Sequence, residues 1–316
     1  MKRSVLILLI ISIALVIIGT LLMTIGFKEF DINKYSGSNK IVQKEYEINE
    51  TIENINIDVE TSDINIIKSN INKVECFENE DLYHKVTVSE NTLNIELVDE
   101  RSAKKFFFGS SNFTINIYLK EETLNELNID LSTGDIKINE NLSFNNIDIK
   151  VSTGNIFAKC IVNDAMIIKG TTGDVKLNNL NPNYLEIETS TGKVEVNNSK
   201  VDTTLKIKTT TGKCSLENIE CNDLVIEATT GKTYLNNVNA SESINITKGT
   251  GDVIFTNIDS PNIKIKATTG DIKGSVKTAK SFYAHTTTGK VSVPKTTGSV
   301  CEIETTTGDI EITISE

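Results

Sequence analysis

The stretch Leu205-Lys206-Ile207-Lys208-Thr209-Thr210-Thr211-Gly212-Lys213-Cys214-Ser215-Leu216 decides the fold, and nineteen residues on Leu224-Val225-Ile226-Glu227-Ala228-Thr229-Thr230-Gly231-Lys232-Thr233-Tyr234-Leu235 writes it again. Apolar and polar residues alternate on both sides of a Thr-Gly turn, the period of strands with one buried face. The same turn recurs at Gly134, Gly154, Gly173, Gly192, Gly212, Gly231, Gly251, Gly270, Gly289 and Gly308, each after a Thr and nineteen or twenty residues from the last. Positions seven and five before the glycine are apolar almost throughout, and so are positions two and four after it. A third apolar residue often follows seven after, as at Ile161, Leu180, Ile219, Val238 and Ile258. A fixed period of this length means one unit stacked on copies of itself. A meander or barrel of hairpins could use the unit, but constant coil length and three inward positions favour a solenoid. The expected fold is all-β: a single-stranded parallel β-solenoid (β-helix) of about ten coils of 19–20 residues. An irregular β cap and one N-terminal transmembrane helix precede it.

That helix is read from Lys2 and Arg3 followed by an apolar run from Val5 to Phe27, long enough to cross a bilayer of about 30 Å. A cleaved signal peptide would have a shorter apolar core ending in a small-x-small site, and no such triplet closes this run. The sequence therefore divides into a cytoplasmic stub (1–3), a transmembrane signal anchor (4–27), a polar tether (28–45), a capping β region (46–125) and the solenoid (126–316). The expected location is the cell membrane, single-pass, with the C-terminal domain extracytoplasmic. In the cap, Thr61-Ser62-Asp63 is a degenerate turn with Ser62 in the glycine slot. The run Lys104-Lys105-Phe106-Phe107-Phe108-Gly109 reads as a plug over the end of the apolar stack, or as a loop dipping into the bilayer.

Net charge is −11, and since Lys2 and Arg3 contribute +2, residues from 28 on carry −13. Such an acidic body argues against nucleic acid as a partner. Five cysteines in an exported chain suggest disulfides, yet the coil positions of Cys160, Cys214, Cys221 and Cys301 place the candidate pairs several coils apart, beyond bonding reach. They read as buried thiols. Carbohydrate-active β-helices need clustered acids on an outer face; Asp252 beside Asp271 is the one stacked acid pair after the glycines. The run Glu78-Asn79-Glu80-Asp81 lacks the Gly of a calcium loop and reads as a solvated loop. The sequence offers no catalytic residues, no cofactor and no metal site. Thr-x-Thr ladders suited to ice are interrupted by Lys208, Glu227, Lys266 and Glu304. The candidate ligand-binding face is the ladder Lys193, Lys213 and Lys232 with Tyr234 and Ile254 on neighbouring coils. Stacked like charges weaken a sheet slightly, so their presence suits an anionic partner such as wall polymer.

The reiterated Thr-Thr-Gly-Asp/Lys turns, as at Thr268–Asp271 and Thr306–Asp309, with Leu/Ile-x-Ile before and Val/Ile-x-Val/Ile after, resemble the "putative adhesin" (LiaG-like) family of bacterial extracytoplasmic domains. The resemblance spans roughly residues 46–316 and implies a β-solenoid of undefined function beside membrane regulatory systems, with no catalytic residues to carry over. The reading is a membrane-anchored, non-enzymatic, adhesin-like binding module of the bacterial cell envelope. Its expected partners are the membrane, through the N-terminal helix, and cell-wall polymer or an envelope protein. The alternatives are a self-assembling envelope scaffold, joined as a homo-oligomer through an open C-terminal coil at Ile310, Ile312 and Ile314, and a carbohydrate-active β-helix enzyme.

Overall fold

Alternation over both halves of each repeat buries one side of every strand, and the computed structural model describes the result for residues 41–100, 113–120 and 123–315. The expected transmembrane helix, most of the tether and the Phe106–Phe108 plug lie outside the described residues. At the N-terminal end stand β1 (Val42–Glu47), β2 (Asn54–Thr61), β3 (Asp63–Lys68), β4 (Lys73–Glu78), β5 (Leu82–Ser89), β6 (Thr92–Asp99) and β7 (Thr114–Leu119). The regular coils begin with β8 (Thr123–Thr133), β9 (Ile136–Ile138), β10 (Ser143–Thr153), β11 (Ile156–Ala158), β12 (Ile161–Thr172), β13 (Val175–Asn178) and β14 (Tyr184–Thr191). Three long strands then turn a corner without a break: β15 (Val194–Thr211), β16 (Cys214–Thr230) and β17 (Thr233–Thr250). The last coils use β18 (Val253–Ile258), β19 (Asn262–Thr269), β20 (Ile272–Val276), β21 (Lys280–Thr288), β22 (Val291–Ser292), β23 (Ser299–Thr307) and β24 (Ile310–Ile314).

The fold is an all-β solenoid of about nine turns, with no helix among the described residues. Like positions stack on like: Leu185, Leu205, Leu224, Ile244 and Ile263 form one rung-to-rung ladder, and Val194, Cys214, Thr233, Val253 and Ile272 another. These inward side chains are buried throughout. The Asn-rich corners take left-handed backbone at Asn198, Asn218, Asn237 and Asn257. Their amides hydrogen-bond from coil to coil at 2.8–3.1 Å, so a residue that tolerates this conformation also pairs along the rod. Ile161 departs from expectation. It is 46% exposed, because Val162 stands in register with the buried Phe144 and takes the inward place.

Both ends depart from sequence order. At the C-terminal end β23 lies between β19 and β21, and β24 lies between β20 and β22. The final coil is thus inserted under the one that precedes it in the chain. Ile310 and Ile312 are buried, which corrects the expectation that they form an open end. Lys280 ties the insertion together. Buried itself, it donates to Asp259 Oδ1 (2.5 Å), the Ser260 carbonyl (2.7 Å) and Ser299 Oγ (2.8 Å). At the N-terminal end the coil β2–β3 packs directly on β8–β9, and the later strands β6 and β7 cover its outer side. Antiparallel β5, β4 and β1 close that end. Strand β1 begins at Val42, inside the segment expected to be tether.

Candidate functional site

The outer turn after each glycine is where the coils come closest. Gly192 has φ +138°, and a Cβ there would stand 1.9 Å from the Gly173 carbonyl oxygen, so no side chain fits. The next residue is held by a side chain. Asp63 accepts the backbone N–H of Asp135, Asp135 that of Asn155, Asn155 that of Asp174 and Asp174 that of Lys193, at 2.8–2.9 Å. The ladder resumes as Asp252 accepts from Asp271 (3.2 Å), Asp271 from Asp309 (2.9 Å) and Asp309 from Lys290 (2.8 Å). Each acid or amide satisfies a donor that the tight turn would leave unpaired.

This changes one expectation. The acid pair Asp252–Asp271 is part of a run of three, because the inserted coil brings Asp309 beside Asp271. Asp174 and Lys193 meet through the backbone N–H, while the Lys193 ammonium pairs with Glu195.

The ladder is broken over three successive coils, where Lys193, Lys213 and Lys232 replace Asp or Asn. A lysine cannot accept, and no side chain takes the N–H of Lys213, Lys232 or Asp252 among the described residues. The five expected residues do gather there. Lys213 Nζ lies 4.4 Å from the Tyr234 ring centroid, within cation–π range. Tyr234 stands in register with Ile254, and both are half-buried. Lys232 pairs with Asp252 at 3.0 Å, an interaction that raises the lysine pKa and lowers that of the aspartate. Of the three, only Lys213 has no carboxylate partner among the described residues. Three N–H groups without a side-chain acceptor and the Lys213 ammonium, on coils about 4.8 Å apart, are suited to an extended anion.

A second cluster was not legible in the sequence. In the cap, Ser62 Oγ is 2.8 Å from His84 Nε2, and His84 Nδ1 is 2.9 Å from Glu78 Oε2, which also accepts the His84 N–H at 2.7 Å. Lys44 Nζ lies 2.8 Å from Glu78 Oε1, and Tyr46 donates to the His84 carbonyl. Burial opposes ionisation of Glu78, but bonds from His84 and Lys44 hold its pKa below the usual range. Glu78 and His84 are fully buried and Ser62 nearly so; the Ser62 hydroxyl also donates to the Thr61 carbonyl. Reading Glu78 as part of a solvated loop is therefore corrected. Cys76 Sγ, a Glu78 oxygen and a His84 ring nitrogen lie within 4.8 Å of one another, though burial pushes the thiol up to about 12. The relay joins β1, the break between β2 and β3, β4 and β5, and its chemistry is that of a clasp. The sequence carries no periodic signal for it, since Ser62 falls in the break between β2 and β3 while Glu78 and His84 fall on β4 and β5.

Lys248 is the third departure. It occupies an inward position, buried, with its ammonium donating to Thr233 Oγ1 at 3.0 Å, and burial lowers its pKa. On the third side an open groove of about 570 Å³ runs past Lys200, Asp202, Glu220, Asp259 and Lys280. All five cysteines are buried and free.

The Toastrack DUF4097 family pattern matches residues 52–236 and 199–316. No curated protein matches the chain. A solved structure from Parabacteroides distasonis ATCC 8503, described as a "putative lipid binding protein", is 18% identical, with 75% of this chain and 99% of that one covered and a TM-score of 0.53. At that identity it shows a shared fold. A "putative adhesin" from the same strain is 14% identical over 74% of this chain and 98% of its own, with a TM-score of 0.42. Another from Bacteroides fragilis NCTC 9343 is 17% identical over 87% and 98%, with a TM-score of 0.34. Neither superposition is close enough to argue from.

Proposed function

We propose, for a chain that belongs to the Toastrack DUF4097 family, a non-enzymatic binding module of the cell envelope that recognises an anionic polymer through its broken ladder. The family membership bears out the resemblance read from the Thr-Thr-Gly turns. The observation that carries the reading is the replacement of an acceptor by a lysine on three neighbouring coils. There the rod trades donors it satisfies internally for donors it offers outward. Tyr234 and Ile254 add an apolar floor on which a polymer backbone can rest. The chain as a whole carries −11, so an anionic polymer is steered to its locally cationic patches, of which this ladder is one.

Anchoring in the membrane is part of the proposal, and its support is the sequence of Lys2, Arg3 and the apolar run to Phe27. An enzymatic reading has less in its favour, since Asp252, Asp271 and Asp309 each hold a backbone N–H. Co-sedimentation of the full chain with isolated wall sacculi tests the proposal. Binding should saturate, weaken with salt and vanish when anionic polymers are stripped from the sacculi. Equal binding to stripped sacculi would count against it.

A further inference from the structure

Among the described residues the coil β21–β22 is the last layer of the rod, and its outer edge is bare. Among the described residues β21 pairs only with β23, and β22 only with β24. On their other side no strand of the described residues meets the N–H and C=O groups. The inward residues are uncovered as well. Phe282, Ala284 and Val293 are only partly buried, and Val291 is 44% exposed. At the opposite end the stack is sealed, with Ile52 and Phe113 about 1% exposed. A solenoid end left in this state is a template for another strand.

Charge selects the strand. From Ile272 to Cys301 the sequence has no acidic residue, in a chain that holds 43. On the end coil His285 and Lys290 are exposed, as is Lys295 just beyond it. A second copy docked about a two-fold axis would bring these like charges together. The inner neighbour displays the complementary pattern: Glu302 and Glu304 stand in register with Tyr283 and His285.

We propose that the end coil is a docking edge for an extended acidic segment of another protein. It would be added as one more strand, with alternate apolar residues over Phe282 and Ala284 and carboxylates against His285 and Lys290. The edge lies several coils from the Lys193–Lys213–Lys232 face and does not depend on it.

The test uses the full chain in detergent micelles and a synthetic peptide, VSEIETT, which copies residues 300–306 with Ser for Cys301. Calorimetric titration should give one site per chain. Hydrogen exchange should slow at the amides of β21 on peptide addition and at no other strand. The charge-reversed peptide VSKIKTT should bind at least about tenfold more weakly, and the exposed-site variant His285→Glu should lose VSEIETT to a similar degree. Absence of binding by a monomeric chain would overturn the proposal. So would a dimer that excludes the peptide, which would make a second copy the occupant. Equal binding of both peptides would overturn the charge argument.

Discussion

At the scale of single residues, the closeness of the coils at the outer turn dominates. Gly192→Ala would place a Cβ 1.9 Å from a carbonyl oxygen at a positive φ, and it should cost at least about 3 kcal/mol or abolish folding. Gly170→Ala is the contrast. Its Cβ would meet nothing nearer than 3.6 Å, so a gain of about 0.4–1 kcal/mol is expected from the less flexible unfolded chain. Urea denaturation of the two variants checks both. The turn glycines were readable because a period of nineteen or twenty residues leaves few alternatives. The role of the following Asp or Asn was not, since a carboxylate beside a turn looks solvated until the next coil's N–H is placed against it. The same blindness applied to Glu78, whose acidic neighbours suggested a loop in water.

At the scale of elements, two buried charges make stability rise with pH, one in the alkaline range and one in the acid range. Lys248 has a folded pKa below the 10.5 of the unfolded chain. Burial therefore costs stability while the lysine would be protonated, and the cost disappears as pH rises toward 10.5. Lys248→Met should stabilise β17 by about 1–3 kcal/mol near neutral pH. Its melting-temperature advantage over the unsubstituted chain should shrink as pH approaches 10.5; an advantage that grew would contradict the account. Glu78 has a folded pKa below the usual 4.5. Its contribution is complete above that value and lost as pH falls through the lower folded pKa. Glu78→Gln should destabilise the cap by about 3–5 kcal/mol at neutral pH, with a smaller penalty in acid. Thermal melts at a series of pH values would read both. Neither group could be foreseen. Lys248 sits where neighbouring coils carry Ala or Thr, and a long side chain at an inward position reads as outward when only the alternation is available.

At the scale of the whole molecule, the solenoid was legible and its order at the ends was not. Every coil offers the same register to its neighbour: Thr307 pairs equally with Thr269 below and Thr288 above. Alternation therefore fixes which residues face inward but not which coil lies on which, and the order is set by particular contacts such as those of Lys280. The candidate face was legible as a lysine ladder because those three coils are consecutive in chain and space. What it interrupts became visible only with the acceptors in place. This yields a clean separation of binding from folding. In the variant Lys193→Asp/Lys213→Asp/Lys232→Asp, each new carboxylate can accept the next coil's N–H as Asp174 does for Lys193, so the ladder is completed while its cations are removed. The decisive measurement is calorimetric titration of the full chain with poly(glycerol phosphate), comparing this variant with Lys150→Glu on another face. The account predicts that the triple variant melts no lower than the unsubstituted chain and binds at least about tenfold more weakly, a loss of about 1.4 kcal/mol or more, while Lys150→Glu binds normally. Unchanged affinity in the triple variant would contradict it.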